Sequence, residues 1–195
     1  MGDVRNISVL NPSFEQPSHA PGGNTNGAPG WTVSGPSNAG TFFPTASRYP
    51  VSGGPTDGNN VAFSNGQTIS QVLGDVVEAL NLYTLQVDVG DRSDATFHGF
   101  DVELLRGGNL LGSVDESTLT VPDGGFATAT IEYFATGNDI NLGQNFEIRL
   151  TSDGPQTNFD NVRLTAVQTP EPATLALWGV IAVVAFTCYR RTRIR

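Results

Sequence analysis

Nineteen of the 195 residues are Asp or Glu and only two are His, so acid–base chemistry here would fall first to carboxylates. Phase singles out Asp160. In the stretch Phe159-Asp160-Asn161-Val162-Arg163-Leu164-Thr165-Ala166-Val167, strict alternation puts Asp160 on the face of Val162, Leu164 and Ala166, toward a core. Arg163 falls on the opposite face. An inward carboxylate is costly unless it is hydrogen-bonded, paired or metal-bound. A hard cation would resolve the cost, because Ca2+ takes roughly six to eight oxygens from carboxylates and carbonyls. Hydrogen bonds from backbone amides at a strand start are the plainer resolution.

The other chemistry-bearing residues form no motif. His19 sits in a Pro/Gly loop and His98 lies between Phe97 and Gly99, and neither has metal or triad spacing, so both read as surface histidines. Glycoside hydrolysis needs two carboxylates astride a cleft, and with this many acids such a pair carries no signal. The lone Cys188 lies in a C-terminal apolar run, which leaves no internal disulfide and no Cys-based zinc site. Phe42, Phe43, Arg48 and Tyr49 lie on or beside long loops, where aromatic faces and a guanidinium could hold a sugar. Trp31, which follows a turn and opens a strand, reads as core.

The elements that must position these residues are strands. Tyr83, Leu85, Val87 and Val89 alternate with polar residues, as do Phe100, Val102 and Leu104, and Phe146, Ile148 and Leu150. Further strands are expected at 7–10, 30–34, 40–43, 61–64, 68–73, 110–114, 126–134 and 159–167. Arg106-Gly107-Gly108-Asn109-Leu110-Leu111-Gly112 reads as a hairpin. The stretches 15–30 and 44–60 are too long for hairpins and read as surface loops suited to binding. No internal repeat and no useful helical pattern precede the tail. Gly (23) and Pro (12) fit short strands joined by turns. About ten strands in two packed sheets give an all-β jelly-roll sandwich.

The formal charge of −9 argues against a nucleic-acid partner. All ten basic residues are Arg, and four of them, Arg190, Arg191, Arg193 and Arg195, close the chain. Before them, residues 173–189 carry no charge and read as a single transmembrane helix of about 25 Å, with the 190–195 tail held cytoplasmic. Pro170-Glu171-Pro172 precedes that helix and keeps the chain extended. This order of Pro-Glu-Pro, apolar helix and arginines resembles the PEP-CTERM sorting signal of Gram-negative bacteria. The resemblance implies an exosortase-type processing enzyme as partner, cleavage near the motif, and passage through the inner membrane to the cell surface or matrix. The N-terminal stretch holds only the short apolar run 7–10, below a secretory h-region, so the leader is expected to have been removed or to precede a misassigned start.

The segments Asn11-Pro12-Ser13-Phe14-Glu15, Asn59-Asn60-Val61-Ala62-Phe63 and Phe159-Asp160-Asn161-Val162 resemble the galactose-binding-like jelly-roll superfamily, which includes many carbohydrate-binding modules. The resemblance implies a structural Ca2+ held by Glu15 and Asp160. The expected organisation is an N-terminal segment 1–6, a β-sandwich 7–167, a linker 168–172, the helix and the tail. The expected function is an exported, non-catalytic surface or matrix protein. The alternative is a protein that binds extracellular polysaccharide through Phe42, Phe43, Arg48 and Tyr49, and a glycoside-active enzyme is the third reading.

Overall fold

Alternating burial builds the molecule. A computed structural model of the chain describes residues 2–35 and 38–169. The Pro-Glu-Pro motif, the 173–189 helix and the terminal arginines lie outside the described residues. Among those described, no helix is long and apolar enough to cross a membrane. The strands are β1 (Val4–Ile7), β2 (Asn24–Asn26), β3 (Thr32–Val33), β4 (Ala39–Phe42), β5 (Val61–Ser64), β6 (Thr68–Val76), β7 (Asn81–Asp91), β8 (Phe100–Arg106), β9 (Asn109–Asp115), β10 (Gly125–Ala135), β11 (Asn145–Ser152) and β12 (Thr157–Gln168).

They form two antiparallel sheets. The larger runs β10-β7-β12-β5-β4-β2, with β1 also on β12; the smaller runs β3-β6-β11-β8-β9. Their inner faces enclose one core, in which Phe14, Tyr83, Phe100, Phe146 and Phe159 are fully buried. Burying side chains of this size stabilises the fold by roughly 1.5–3 kcal/mol each. Trp31 joins the core, packing against Phe14 at 5.3 Å between ring centroids. Gly107 and Gly108, with φ of 51° and 81°, supply the left-handed turn of the β8–β9 hairpin.

The all-β sandwich expected from the sequence is what forms, with three local differences. The first strand is Val4–Ile7 rather than 7–10, because Val4 to Ile7 pair with Val167 to Leu164. Residues 4–6 therefore belong to the sheet. Asn24–Asn26 is a strand inside the expected 15–30 loop. It is held by pairing with β4, not by apolar burial.

The third difference concerns Asp160. The β12–β7 register shifts between Asp160 and Arg163, with Asn161 at φ 51°. This bulge resets the alternation: Phe159 and then Val162 enter the core. Asp160 instead pairs with Asp88, which points out of the core between Val87 and Val89. The expected core-facing Asp160 is thus corrected. It lies on the outer side of the large sheet, the same side as Arg163, and is buried there by a loop.

Candidate active site

The outer face of the large sheet carries a continuous row of cross-strand neighbours: Asn26, Gly40, Phe63, Asn158, Gly90 and Phe126, from β2, β4, β5, β12, β7 and β10. In the adjacent row Asn24 pairs with Phe42 and Phe42 with Val61. Phe42, Val61, Phe63 and Phe126 form a small apolar cluster of their own, apart from the main core.

Gly90 makes room on this face, since a Cβ there would lie 2.4 Å from the Phe126 ring. Tyr49 lies against that ring at 4.6 Å between centroids. Its hydroxyl donates to Asn158 Oδ1, and Asn158 Nδ2 donates to the Ala62 carbonyl at 3.0 Å. Burial, and then the negative charges of Asp91 and Asp160, push the Tyr49 phenol well above its ordinary value, so it remains a neutral donor.

Beside this plug the sheet opens into a cavity of about 290 Å³ with Phe42 and Phe63 on its floor. Gly22, Asn24 and Asn26 line one flank; Arg48, Asn65, Arg92 and Gln156 line the other. Both guanidinium groups lie over the Phe42 ring, at 5.1 Å for Arg48 and 5.4 Å for Arg92. Asp94 ties them together, bonding Arg92 through Nε at 2.9 Å and Nη2 at 2.8 Å and meeting Arg48 Nη1 at 3.0 Å. Arg92 Nη1 donates to Gln156 Oε1. A planar aromatic molecule could stack in such a slot, with amides and guanidinium groups at its edge.

The residues singled out in the sequence separate into two places. Phe42 and Arg48 line the cavity. Tyr49 is wholly buried beside it and presents no face for a sugar. Phe43 is half-buried and engages Gly22 and Gly23 through its backbone. His98 is exposed, and His19 Nε2 meets Thr41 Oγ1 at 2.8 Å. Asn24, Asn26, Phe63, Asn65, Arg92 and Gln156 were not anticipated. They come from several strands and turns far apart in the chain and form no linear motif.

Glu15, after the first strand, and Asp160, in the last, meet the same loop. Glu15 Oε1 accepts from the Asn59 and Asn60 amides at 2.8 and 2.7 Å. Asp160 Oδ2 accepts from the Thr56 amide and hydroxyl and from the Asp57 amide at 2.8–2.9 Å, and Oδ1 accepts from the Asn161 amide at 2.7 Å. Burial still pushes Asp160 up to about 7, against the pull of those donors. Asn60 Oδ1 is buried with no partner among the described residues. These oxygens are of the type a hard cation takes, although no cluster of three or more His, Cys, Asp or Glu suited to a metal occurs among the described residues.

The fold and the cavity define a jelly roll of a kind shared by enzymes and sugar-binding modules. The family model described as HpiC1-like, HpiC1 cyclase, matches residues 5–165, and the chain belongs to that family. Among solved structures, the Stig cyclase Fisc from Fischerella sp. TAU, in complex with (3Z)-3-(1-methyl-2-pyrrolidinylidene)-3H-indole, is 28% identical. Its match covers 86% of this chain and 100% of that one, with a TM-score of 0.77. A cyclase from Fischerella sp. TAU, in complex with 4-(1H-indol-3-yl)butan-2-one, is also 28% identical over 85% and 99% of the two chains, TM-score 0.76. TmCBM61, in complex with β-1,4-galactotriose, is 16% identical over 82% and 97%, TM-score 0.52. That last likeness is one of fold alone. No match is found among the curated proteins.

These findings correct the functional expectation. The non-catalytic surface or matrix role, and with it the judgement that the protein is no enzyme, is overturned by membership of a cyclase family and by cyclases as structural relatives. The polysaccharide-binding alternative keeps only a shared fold. The comparisons give no sign of a PEP-CTERM signal, since the family match ends at residue 165. Titratable motifs give no sign of this cavity, which is built from amides, arginines and phenyl rings.

Proposed function

We propose that the protein is a ring-closing enzyme acting on an aromatic nitrogen heterocycle of the indole kind, and that the cavity over Phe42 and Phe63 is its active site. The observation that carries the reading is the family match over residues 5–165, in a chain whose sheet face holds an aromatic-floored cavity. Two solved cyclase structures of similar fold are complexes with indole compounds. In this chain Phe63 would receive the flat ring, beside Phe42, which the two guanidinium groups already cover. Arg48 and the amides of Asn24, Asn26, Asn65 and Gln156 would orient its polar edge. Holding a flexible side chain folded over the ring turns a rare conformation into the common one, which is the main service a ring closure needs.

The resemblance to the galactose-binding-like jelly rolls adds a structural Ca2+ to this proposal. Glu15 and Asp160 would hold it together with carbonyls of the Thr56–Asn60 loop and with Asn60 Oδ1, the buried acceptor left without a donor. Its service would be to fix the loop that carries Arg48 and Tyr49.

The test is to incubate the full chain, with Ca2+ supplied, with indoles bearing unsaturated side chains, and to follow ring closure by NMR and mass spectrometry. The expected result is a ring-closed product whose formation drops at least tenfold (~1.4 kcal/mol) in Phe63→Ala. Folded protein that closes no ring on any indole overturns the reading. So does activity that Phe63→Ala leaves unchanged.

A further inference from the structure

Resting on that reading of the cavity, we infer that its substrate carries an anionic group, a carboxylate, beside the aromatic ring, and that the site turns away amines. The chain is acidic, with a formal charge of −9, and has only six arginines before its C-terminal cluster. Two of those six, Arg48 and Arg92, line this one cavity, and no carboxylate lines it. The remaining polar lining is amide, from Asn24, Asn26, Asn65 and Gln156.

The two cations are not equivalent. Arg92 is largely buried and engaged at each nitrogen: Nε and Nη2 bind both oxygens of Asp94, and Nη1 binds Gln156. Its charge is answered by Asp94. Arg48 is more open, with 30% of its side chain exposed, and reaches the same Asp94 through Nη1 alone. Among the described residues its Nε and Nη2 donate to nothing. Two guanidinium groups against one carboxylate leave one positive charge, and the geometry places it on Arg48, over the Phe42 ring. A planar fork with free donors beside an aromatic surface matches a carboxylate attached to a flat heterocycle. An ammonium in the same place would face that charge, and the carboxylate beside it, Asp94, is already shared by the two guanidinium groups.

The experiment titrates the full chain at low salt with three probes of one ring system: indole-3-propionate, tryptamine and 3-methylindole. Indole-3-propionate is expected to bind about tenfold or more tightly than tryptamine, the scale of one charge-assisted hydrogen bond. Arg48→Met keeps an apolar stem over Phe42. It should lower indole-3-propionate to the level of 3-methylindole and weaken 3-methylindole far less. Tryptamine binding as tightly as the acid overturns the inference, as does an Arg48→Met variant that weakens all three probes alike. The outcomes separate this inference from the reading beneath it. A carboxylate preference without any ring closure sustains the inference and removes the enzyme. Ring closure that favours amine substrates removes the inference and leaves the enzyme.

Discussion

Single residues on this sheet face carry measurable consequences. Tyr49 is the plug between cavity and loop. Tyr49→Phe keeps the ring on Phe126 but strands Asn158 Oδ1 in a buried position. An acceptor left that way costs about 1–3 kcal/mol, so the variant should melt several degrees lower with its β-sheet circular dichroism intact. Asp91 gives a pH-dependent case. Burial, and then the charge of Asp123, push its carboxyl up to about 6 from an ordinary 3.8. A raised carboxyl means the folded protein holds the proton more tightly than the unfolded chain. The stabilising contribution is therefore complete below about pH 4 and is lost as pH rises through about 6. Asp91→Asn should gain on the wild type as pH climbs from 4 to 7.5, by roughly 1 kcal/mol after allowing for solvent screening. Melting curves of both proteins across that range provide the check. A constant difference between them would remove the assignment.

Among the elements, the loop from Pro44 to Asn60 does the most positioning. A 3-10 turn at Ala46–Arg48 aims Arg48 at the cavity, and the Val51 amide bonds the Gly124 carbonyl at 2.9 Å. Its far end is held by Glu15 and Asp160. If Ca2+ joins those oxygens, a ligand that binds only the folded state must raise the melting temperature by mass action. Adding Ca2+ should raise the melt and a chelator should reverse it. Either Glu15→Ala or Asp160→Ala should abolish the difference. A melt indifferent to chelator, with no metal copurifying, would dispose of the site.

The strands show what sequence can reveal of such a fold. The cores of β7, β8 and β11 were legible because one buried face imposes a period of two. Asn24–Asn26 was not, because backbone pairing alone holds it. The outward turn of Asp160 was hidden by a bulge, which shifts phase without leaving a mark in hydropathy. The cavity was the least legible feature, because cross-strand register and loop contacts together assemble its lining, and neither is written in any local stretch.

At the scale of the whole molecule, β12 closes the sandwich. It pairs with β7 along its length, with β5 at its start and with β1 toward its end. It buries Phe159, Val162, Leu164 and Ala166. The larger three of these contribute roughly 1.5–3 kcal/mol each, together comparable to the usual net stability of a domain, about 5–15 kcal/mol. The last described residue, Thr169, still donates to the Leu80 carbonyl, through its amide at 2.7 Å and its hydroxyl at 3.0 Å. Every described tertiary contact therefore survives a stop after Thr169. That truncated chain should be β-rich by circular dichroism and melt in one cooperative transition. A stop after Gln156 removes the central strand of the larger sheet and should leave the chain unfolded. A disordered chain ending at Thr169 would mean that the domain needs residues beyond it, and a folded chain ending at Gln156 would refute the central place of β12.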